Sequence, residues 1–173
     1  MVDLSGKNIV MVVAPDNFRD EELLEPKGVF EDYGANVVVA SKGVSTAKGM
    51  LGAIVDIDVD LADVSVDECD AVVFVGGSGA SVYFDDPLAI SLAKSAYDKG
   101  KVVGAICIAP SILANAGILR GKKATAWSSE AGNLRDKGAE YTGDAIAQDG
   151  KIATANGPGA AQEFGVKVAE AMQ

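Results

Sequence analysis

Histidine is absent from the 173-residue chain, and cysteine occurs only twice, as Cys69 and Cys107. Without an imidazole, neither a Ser–His–Asp nor a Cys–His–Asp triad can be assembled, even with an identical second subunit. A zinc site is disfavoured on the same ground, because the nitrogen ligand is missing and the two cysteines stand apart. We therefore expect no metal and no cofactor. The proton partner of a reactive group must be a carboxylate, a water or the substrate.

Long apolar runs are also missing, and aromatic residues make up only 6% of the chain. The short run IVMVVA (9–14) leads into Pro15 and Asp16, which favours a strand over a signal sequence or a membrane span. The formal net charge of −10 disfavours nucleic acid and anionic membranes as partners. Two separated cysteines are not a disulfide framework, which indicates a reducing, cytoplasmic setting. The length predicts a single domain over residues 1–173.

Apolar runs alternate with helical patterns along the chain. We predict buried strands at 8–14, 36–41, 70–77 and 101–107, helices at 85–100 and 109–117, a strand in KKATAWS, a hairpin turning at Asp149–Gly150, and a closing helix at 157–172. A helix ending at Gly34 contains Pro26, which we expect to perturb its middle. The segment GMLGAIVDIDVDL predicts a half-exposed ribbon. The fold class is therefore α/β, with an open, doubly wound, mainly parallel sheet.

Cys107 follows a predicted buried strand and precedes a predicted Ala-rich helix. The stretch GAICIA (104–109) resembles a nucleophile elbow, whose usual pattern is G-x-S-x-G. A thiol at a helix N-terminus is expected to have a lowered pKa. Backbone N–H groups near Gly77 and just after Cys107 would hold a developing oxyanion. The alternative is a buried cysteine that serves as a small hydrophobe, which is our interpretation of Cys69.

The proton partner of Cys107 is open at this point. The acidic stretch DEELLEP follows the first strand and offers Glu21, Glu22 and Glu25, and spacing alone does not rank them. The acidic run DVDLADVSVDECD lacks the spacing of a calcium loop, so we expect an exposed ribbon there.

Four stretches carry a family pattern: FRDEELLEP (18–26), DAVVFVGGSGA (70–80), GKVVGAICIAPSILANAGILRGKKAT (100–125) and DGKIATANGPGAAQEFG (149–165). Together they resemble the ThiJ/PfpI superfamily over nearly the whole chain. The resemblance implies a flavodoxin-like α/β sandwich, similar to the class I glutamine amidotransferases, and a homodimer or larger homo-oligomer. It implies that Cys107 is the nucleophile and that a protonated Glu22 lies beside it. It further implies a pocket formed by Gly76, Gly77, Ile108, Trp127, Asn156 and Gly157.

Two positions depart from the superfamily pattern. The protease-like branch has a histidine where this chain has Ile108, and the deglycase branch has one where it has Trp127. These departures disfavour a hydrolase or peptidase, because a leaving amine needs a general acid. The favoured hypothesis is a glyoxalase- or deglycase-type enzyme that acts on a small aldehyde or dicarbonyl through Cys107 and Glu22. The alternative is a non-catalytic sensor of oxidants or electrophiles, active in oxidative stress, in which Cys107 is oxidised.

Overall fold

The computed structural model describes residues 1–173. Its strands are β1 (Asn8–Val12), β2 (Asp16–Phe18), β3 (Asn36–Ser41), β4 (Thr46–Gly49), β5 (Ile54–Asp56), β6 (Val59–Asp60), β7 (Ala71–Phe74), β8 (Val102–Ile106), β9 (Lys123–Ala124), β10 (Glu140–Tyr141), β11 (Ile146–Asp149) and β12 (Ile152–Ala155). Its helices are α1 (Asp20–Asp32), α2 (Pro87–Asp98), α3 (Pro110–Asn115), α4 (Ala131–Asp136) and α5 (Ala161–Ala171). None of these helices is long and apolar enough to cross a membrane.

Seven strands form the central sheet in the order β11-β12-β8-β7-β1-β3-β6. All neighbours are parallel except β11 and β12, which form the predicted hairpin around Gly150. From β1 the chain first moves to β3 on one side and later to β7 on the other. This reversal makes the carboxyl ends of β1 and β7 the switch point, where ligands bind in doubly wound sheets. The sheet confirms the predicted α/β, flavodoxin-like class.

Alternate side chains of each central strand face opposite layers. In β1, Ile9 and Met11 pack on one apolar cluster, and Val10 and Val12 pack on the other. Helices α1 and α5 cover the first face, and α2, α3 and α4 cover the second. The helices on the second face bury mostly alanine and leucine, as the aromatic-poor composition requires.

Several predicted elements are shorter or differently placed. Helix α3 spans only Pro110–Asn115, and the strand predicted in KKATAWS is reduced to β9, which pairs only with the two-residue β10. The predicted ribbon (49–61) contains β5, β6 and only the last residue of β4. Strands β4 and β5 form a hairpin that pairs with β2 in a small separate sheet. Pro26 lies inside a continuous α1, although it has no N–H to donate to the Glu22 carbonyl.

Helices α1 and α5 are in close contact at Gly165. A Cβ on Gly165 would lie 2.9 Å from the Cα of Pro26 and 3.2 Å from the Cβ of Val29. We expect Gly165→Ala to lower the free energy of unfolding by about 1–3 kcal/mol, because the two backbones must separate. Chemical denaturation measures the change.

Gly28 in the same helix α1 provides the matched control. A Cβ added there meets no atom within 4 Å. Gly28→Ala should therefore stabilise the protein by about 0.4–1 kcal/mol through the lower entropy of the unfolded chain. Equal effects of the two substitutions would contradict the close helix contact.

Candidate functional site

The backbone turns sharply at Cys107, directly after β8. Cys107 has a φ of 66°, one of only two positive φ values outside glycine. Its N–H donates to the Ala155 carbonyl at 2.9 Å, and its own carbonyl accepts the Trp127 N–H at 2.8 Å. These two bonds hold a strained conformation in place. The geometry is that of an elbow which presents the thiol at the carboxyl edge of the sheet.

Glu22 lies in the first turn of α1 and has no exposed surface. Its two carboxyl oxygens are buried, and neither reaches a partner with full hydrogen-bond geometry. The polar groups that act on it most directly are the Cys107 thiol and the Gly76 N–H. An unpartnered buried carboxyl is costly when ionised, so this position favours the protonated acid.

Gly76 lies against both the Glu22 carboxyl and the Cys107 side chain. A Cβ on Gly76 would lie 2.5 Å from the Oε1 of Glu22 and 2.5 Å from the Cβ of Cys107. Real side chains do not tolerate such distances, so the carboxyl and the thiol approach each other only because residue 76 has no side chain. The Gly76 carbonyl also accepts the Arg19 N–H at 2.9 Å, which ties β7 to the start of α1.

Burial raises the pKa of Glu22 from 4.5 to about 8. The Cys107 thiol and the positive charge of Arg19 act in the opposite direction, but their effect is smaller. Desolvation dominates because the carboxylate would lose its hydration without gaining a strong donor. Glu22 is therefore mainly protonated at pH 7.

The pKa of Cys107 is raised to about 11, first by burial and then by the charge on Glu22. The sequence-based expectation of a lowered pKa is wrong. Helix α3 has only six residues and begins three residues after the thiol, so its dipole does not offset these effects. Hydrogen bonds from the N–H groups of Gly77 and Ile108 do favour the thiolate.

The thiol and the carboxyl titrate as a coupled pair. The repulsion that Glu22 exerts on a thiolate exists only while Glu22 is ionised. Because the pKa of Glu22 is about 8 and that of Cys107 about 11, the first proton is lost mainly from the carboxyl. Transfer of the thiol proton to Glu22 then gives the minor form of the singly charged pair, a thiolate beside a protonated acid, in which the two N–H groups stabilise the sulfur anion.

A cavity of about 280 Å³ opens above the thiol. Its walls include Arg19, Met50, Gly77, Ile108, Trp127 and Pro158. This volume suits a small molecule. A larger cavity of about 540 Å³ lies beside Cys69 at the opposite end of the sheet, next to Asn8 and Asn36, but it has no comparable pair of reactive groups.

The structure brings together six of the eight residues predicted for the site: Cys107, Glu22, Gly76, Gly77, Ile108 and Trp127. Asn156 and Gly157 are not among the residues that line the cavity, so their place in the site stays a prediction. A Cβ on Gly157 would lie 3.0 Å from two carbons of the Trp127 ring, so Gly157 supports the ring from behind while Pro158 faces the cavity.

Sequence reasoning missed Arg19, Met50, Ser78 and Ser129 as cavity residues. Arg19 lies in the stretch FRDEELLEP, directly before the predicted helix, and its charge at that position could have marked it as a candidate site residue. Met50 comes from the tip of the β4–β5 hairpin, and nothing in its local sequence indicates that the hairpin reaches the site.

Comparison with known proteins gives a consistent family. The model of the DJ-1/PfpI family matches residues 7–171. The chain is 40% identical to an uncharacterized protein from Methanocaldococcus jannaschii, over 99% of this chain and 85% of that protein. It is 31% identical to a deglycase from Thermococcus kodakarensis, over 87% and 90% of the two chains. It is 27% identical to a glutathione-independent glyoxalase from Caenorhabditis elegans, over 96% and 89%.

A solved structure shares the whole fold. The crystal structure of a ThiJ/PfpI domain protein from Brachyspira murdochii superposes with a TM-score of 0.93 at 37% identity. The match covers 96% of this chain and 98% of that chain.

The raised pKa of Glu22 predicts a specific pH dependence of stability. The folded state binds the Glu22 proton more tightly than the unfolded state, so between about pH 5 and 8 the free energy of unfolding falls by up to ~1.4 kcal/mol per pH unit. Glu22→Gln keeps the shape of the protonated acid but does not titrate. We expect the variant to gain stability over the wild type as the pH rises through this range.

Urea denaturation of both proteins at several pH values measures this difference, and effects of all other groups cancel in the comparison. Parallel stability curves for the wild type and Glu22→Gln would contradict a raised pKa at Glu22.

Proposed function

Because the chain belongs to the DJ-1/PfpI family, we propose that it is a cysteine-dependent enzyme of the glyoxalase or deglycase type. Its proposed substrates are small 2-oxoaldehydes such as methylglyoxal, or the early adducts that these form with amines. The observation that carries the proposal is the Cys107 thiol beside the buried, protonated Glu22, with two backbone N–H groups directed at the sulfur.

The first step forms a carbon–sulfur bond. In the singly charged pair, the Cys107 thiolate adds to the aldehyde carbon of the substrate. The carbonyl oxygen becomes an alkoxide and takes the proton held by Glu22, which gives a neutral hemithioacetal. The N–H groups of Gly77 and Ile108 are close to the sulfur and are proposed to stabilise the developing oxyanion.

The second step moves a proton between adjacent carbons. Glu22, now a carboxylate, removes the proton from the former aldehyde carbon and returns one to the neighbouring carbon, while the hydroxyl proton of the hemithioacetal passes to the neighbouring oxygen. The product is a thioester of a 2-hydroxy acid. Water then cleaves the thioester and releases lactate, a proton and the thiol, so the sum is methylglyoxal plus water to lactate plus a proton, and no external oxidant or reductant is needed.

The surroundings favour a small carbonyl substrate over a peptide. Ile108 and Trp127 add apolar walls, and the cavity holds about 280 Å³. With no histidine in the chain, a leaving amine has no imidazole to protonate it. Peptide hydrolysis therefore has less support than aldehyde conversion.

A homo-oligomer in a reducing, cytoplasmic setting is part of the proposal. Leu51 and Ile54 on the β4–β5 hairpin are 65% and 71% exposed, and contact with a second copy would bury them. The two cysteines are free. Light scattering should give at least twice the mass of one chain, and a mass of 17.7 kDa would contradict the assembly.

We expect the purified protein to form lactate from methylglyoxal, at a rate that increases as the pH approaches 8. Cys107→Ala should reduce lactate formation to background. Glu22→Gln should lower kcat at least ~100-fold, because the acid–base group is lost while the shape is kept. Lactate must be measured directly, since methylglyoxal also disappears by reaction with lysine and arginine.

Cys69→Ala is the matched control, because Cys69 is buried and lies away from the cavity. This variant should keep wild-type turnover. Lactate formation no greater than that of Cys107→Ala would contradict the enzyme proposal. A sensor would then be favoured if mild peroxide adds two oxygens to Cys107 alone, as shown by mass spectrometry.

A further inference from the structure

We propose that Asp20 is a positioning residue of the site: it anchors the tip of the β4–β5 hairpin to the first turn of α1 and thereby fixes Met50 as a wall of the Cys107 cavity. The role in turnover rests on the proposed function. The role in shaping the cavity does not, because it concerns access to the thiol.

The carboxylate of Asp20 makes the anchor. Asp20 is only 7% exposed. Its Oδ1 accepts the Leu51 N–H at 2.9 Å, and its Oδ2 accepts the Ala53 N–H at 2.8 Å. The two oxygens therefore hold the N–H groups of two residues of the hairpin turn, on either side of Gly52.

Gly49 allows the carboxylate to come this close. A Cβ on Gly49 would lie 2.3 Å from the Oδ1 of Asp20, 2.6 Å from its Cγ and 2.8 Å from its Oδ2. There is no space for a side chain at position 49, so the close contact between the hairpin tip and Asp20 requires glycine there.

Met50 lies in the same turn, between Gly49, which contacts the Asp20 carboxylate, and Leu51, whose N–H donates to it. Its N–H donates to the Phe18 carbonyl at 2.8 Å, so the backbone of residue 50 is tied to β2. Of the hairpin residues, Met50 alone lines the cavity with Cys107 and Trp127. The contacts of Asp20 with Gly49 and Leu51, the residues on either side of Met50, therefore determine the position of Met50 in the cavity wall.

Ionisation suits Asp20 to this role. Burial is the largest single influence and raises its pKa, but the hydrogen bonds from Leu51 and Ala53, the N–H of Asp20 itself and the charge of Arg19 together outweigh it, so the pKa of Asp20 is lowered overall. The carboxylate has two acceptor oxygens for two N–H donors. An asparagine would turn an NH₂ group toward one of those donors, so it cannot replace the aspartate.

The shared contact is tested by a double-mutant cycle of Asp20→Ala, Gly49→Ala and the double variant. The first readout is the ratio of Cys107 alkylation rates with a bulky maleimide and with iodoacetamide. We expect each single substitution to raise this ratio about three- to tenfold, because the Met50 wall moves. In the double variant, Gly49→Ala should add little, since the carboxylate that it would strike is gone.

The second readout is turnover of methylglyoxal. We expect KM to rise about three- to tenfold while kcat changes less than about twofold, because Cys107 and Glu22 stay in place. Asp16→Ala is the matched control: Asp16 is exposed, and its carboxylate takes part in no hydrogen bond or ion pair. It should leave both readouts unchanged.

Met50→Ala removes the wall without touching the anchor, and should raise the alkylation ratio by a similar factor. The proposal is overturned if Met50→Ala leaves the ratio unchanged, or if the effects of Asp20→Ala and Gly49→Ala multiply in the double variant. A protein without turnover that still shows the expected ratios would contradict the proposed function and leave the anchor supported.

Discussion

The site depends on one constraint: a carboxyl group without a hydrogen-bond partner is buried against a cysteine, and a glycine keeps them in contact. Gly76 has no side chain, so Glu22 and Cys107 meet across it. Burial keeps the proton on Glu22 near neutral pH, because an ionised carboxylate would lose its hydration. Burial of this carboxyl lowers the stability of the folded protein, and it holds an acid beside a nucleophile.

Other parts of the fold maintain this contact from several directions. The elbow at Cys107 is held by backbone bonds to β12 and to Trp127. Helix α1 presents Glu22 and packs closely against α5 at Gly165. In the same first turn, Asp20 reaches the hairpin tip. The first turn of α1 thus supplies the acid, Glu22, and in our proposal it also positions the cavity wall through Asp20.

Much of the architecture could be predicted from local sequence. Runs of valine and isoleucine predicted the central strands, and Asp149–Gly150 predicted the final hairpin, because periodicity and turn chemistry act over a few residues. Spacing did not separate Glu22 from Glu21 and Glu25, since their difference is burial against another element. The pKa of Cys107 was predicted in the wrong direction for the same reason. The contacts of Met50 and Asp20 join segments about thirty residues apart, and no local pattern reports them.

The central claim is that Glu22 holds its proton at neutral pH. Carbon-13 NMR of protein labelled at glutamate carboxyls measures this directly, with Glu22→Gln used to assign the signal. The account predicts that the Glu22 resonance titrates near pH 8, far above the ordinary value of 4.5. A titration near the ordinary value of 4.5 would show an ionised carboxylate beside the thiol and would contradict the account.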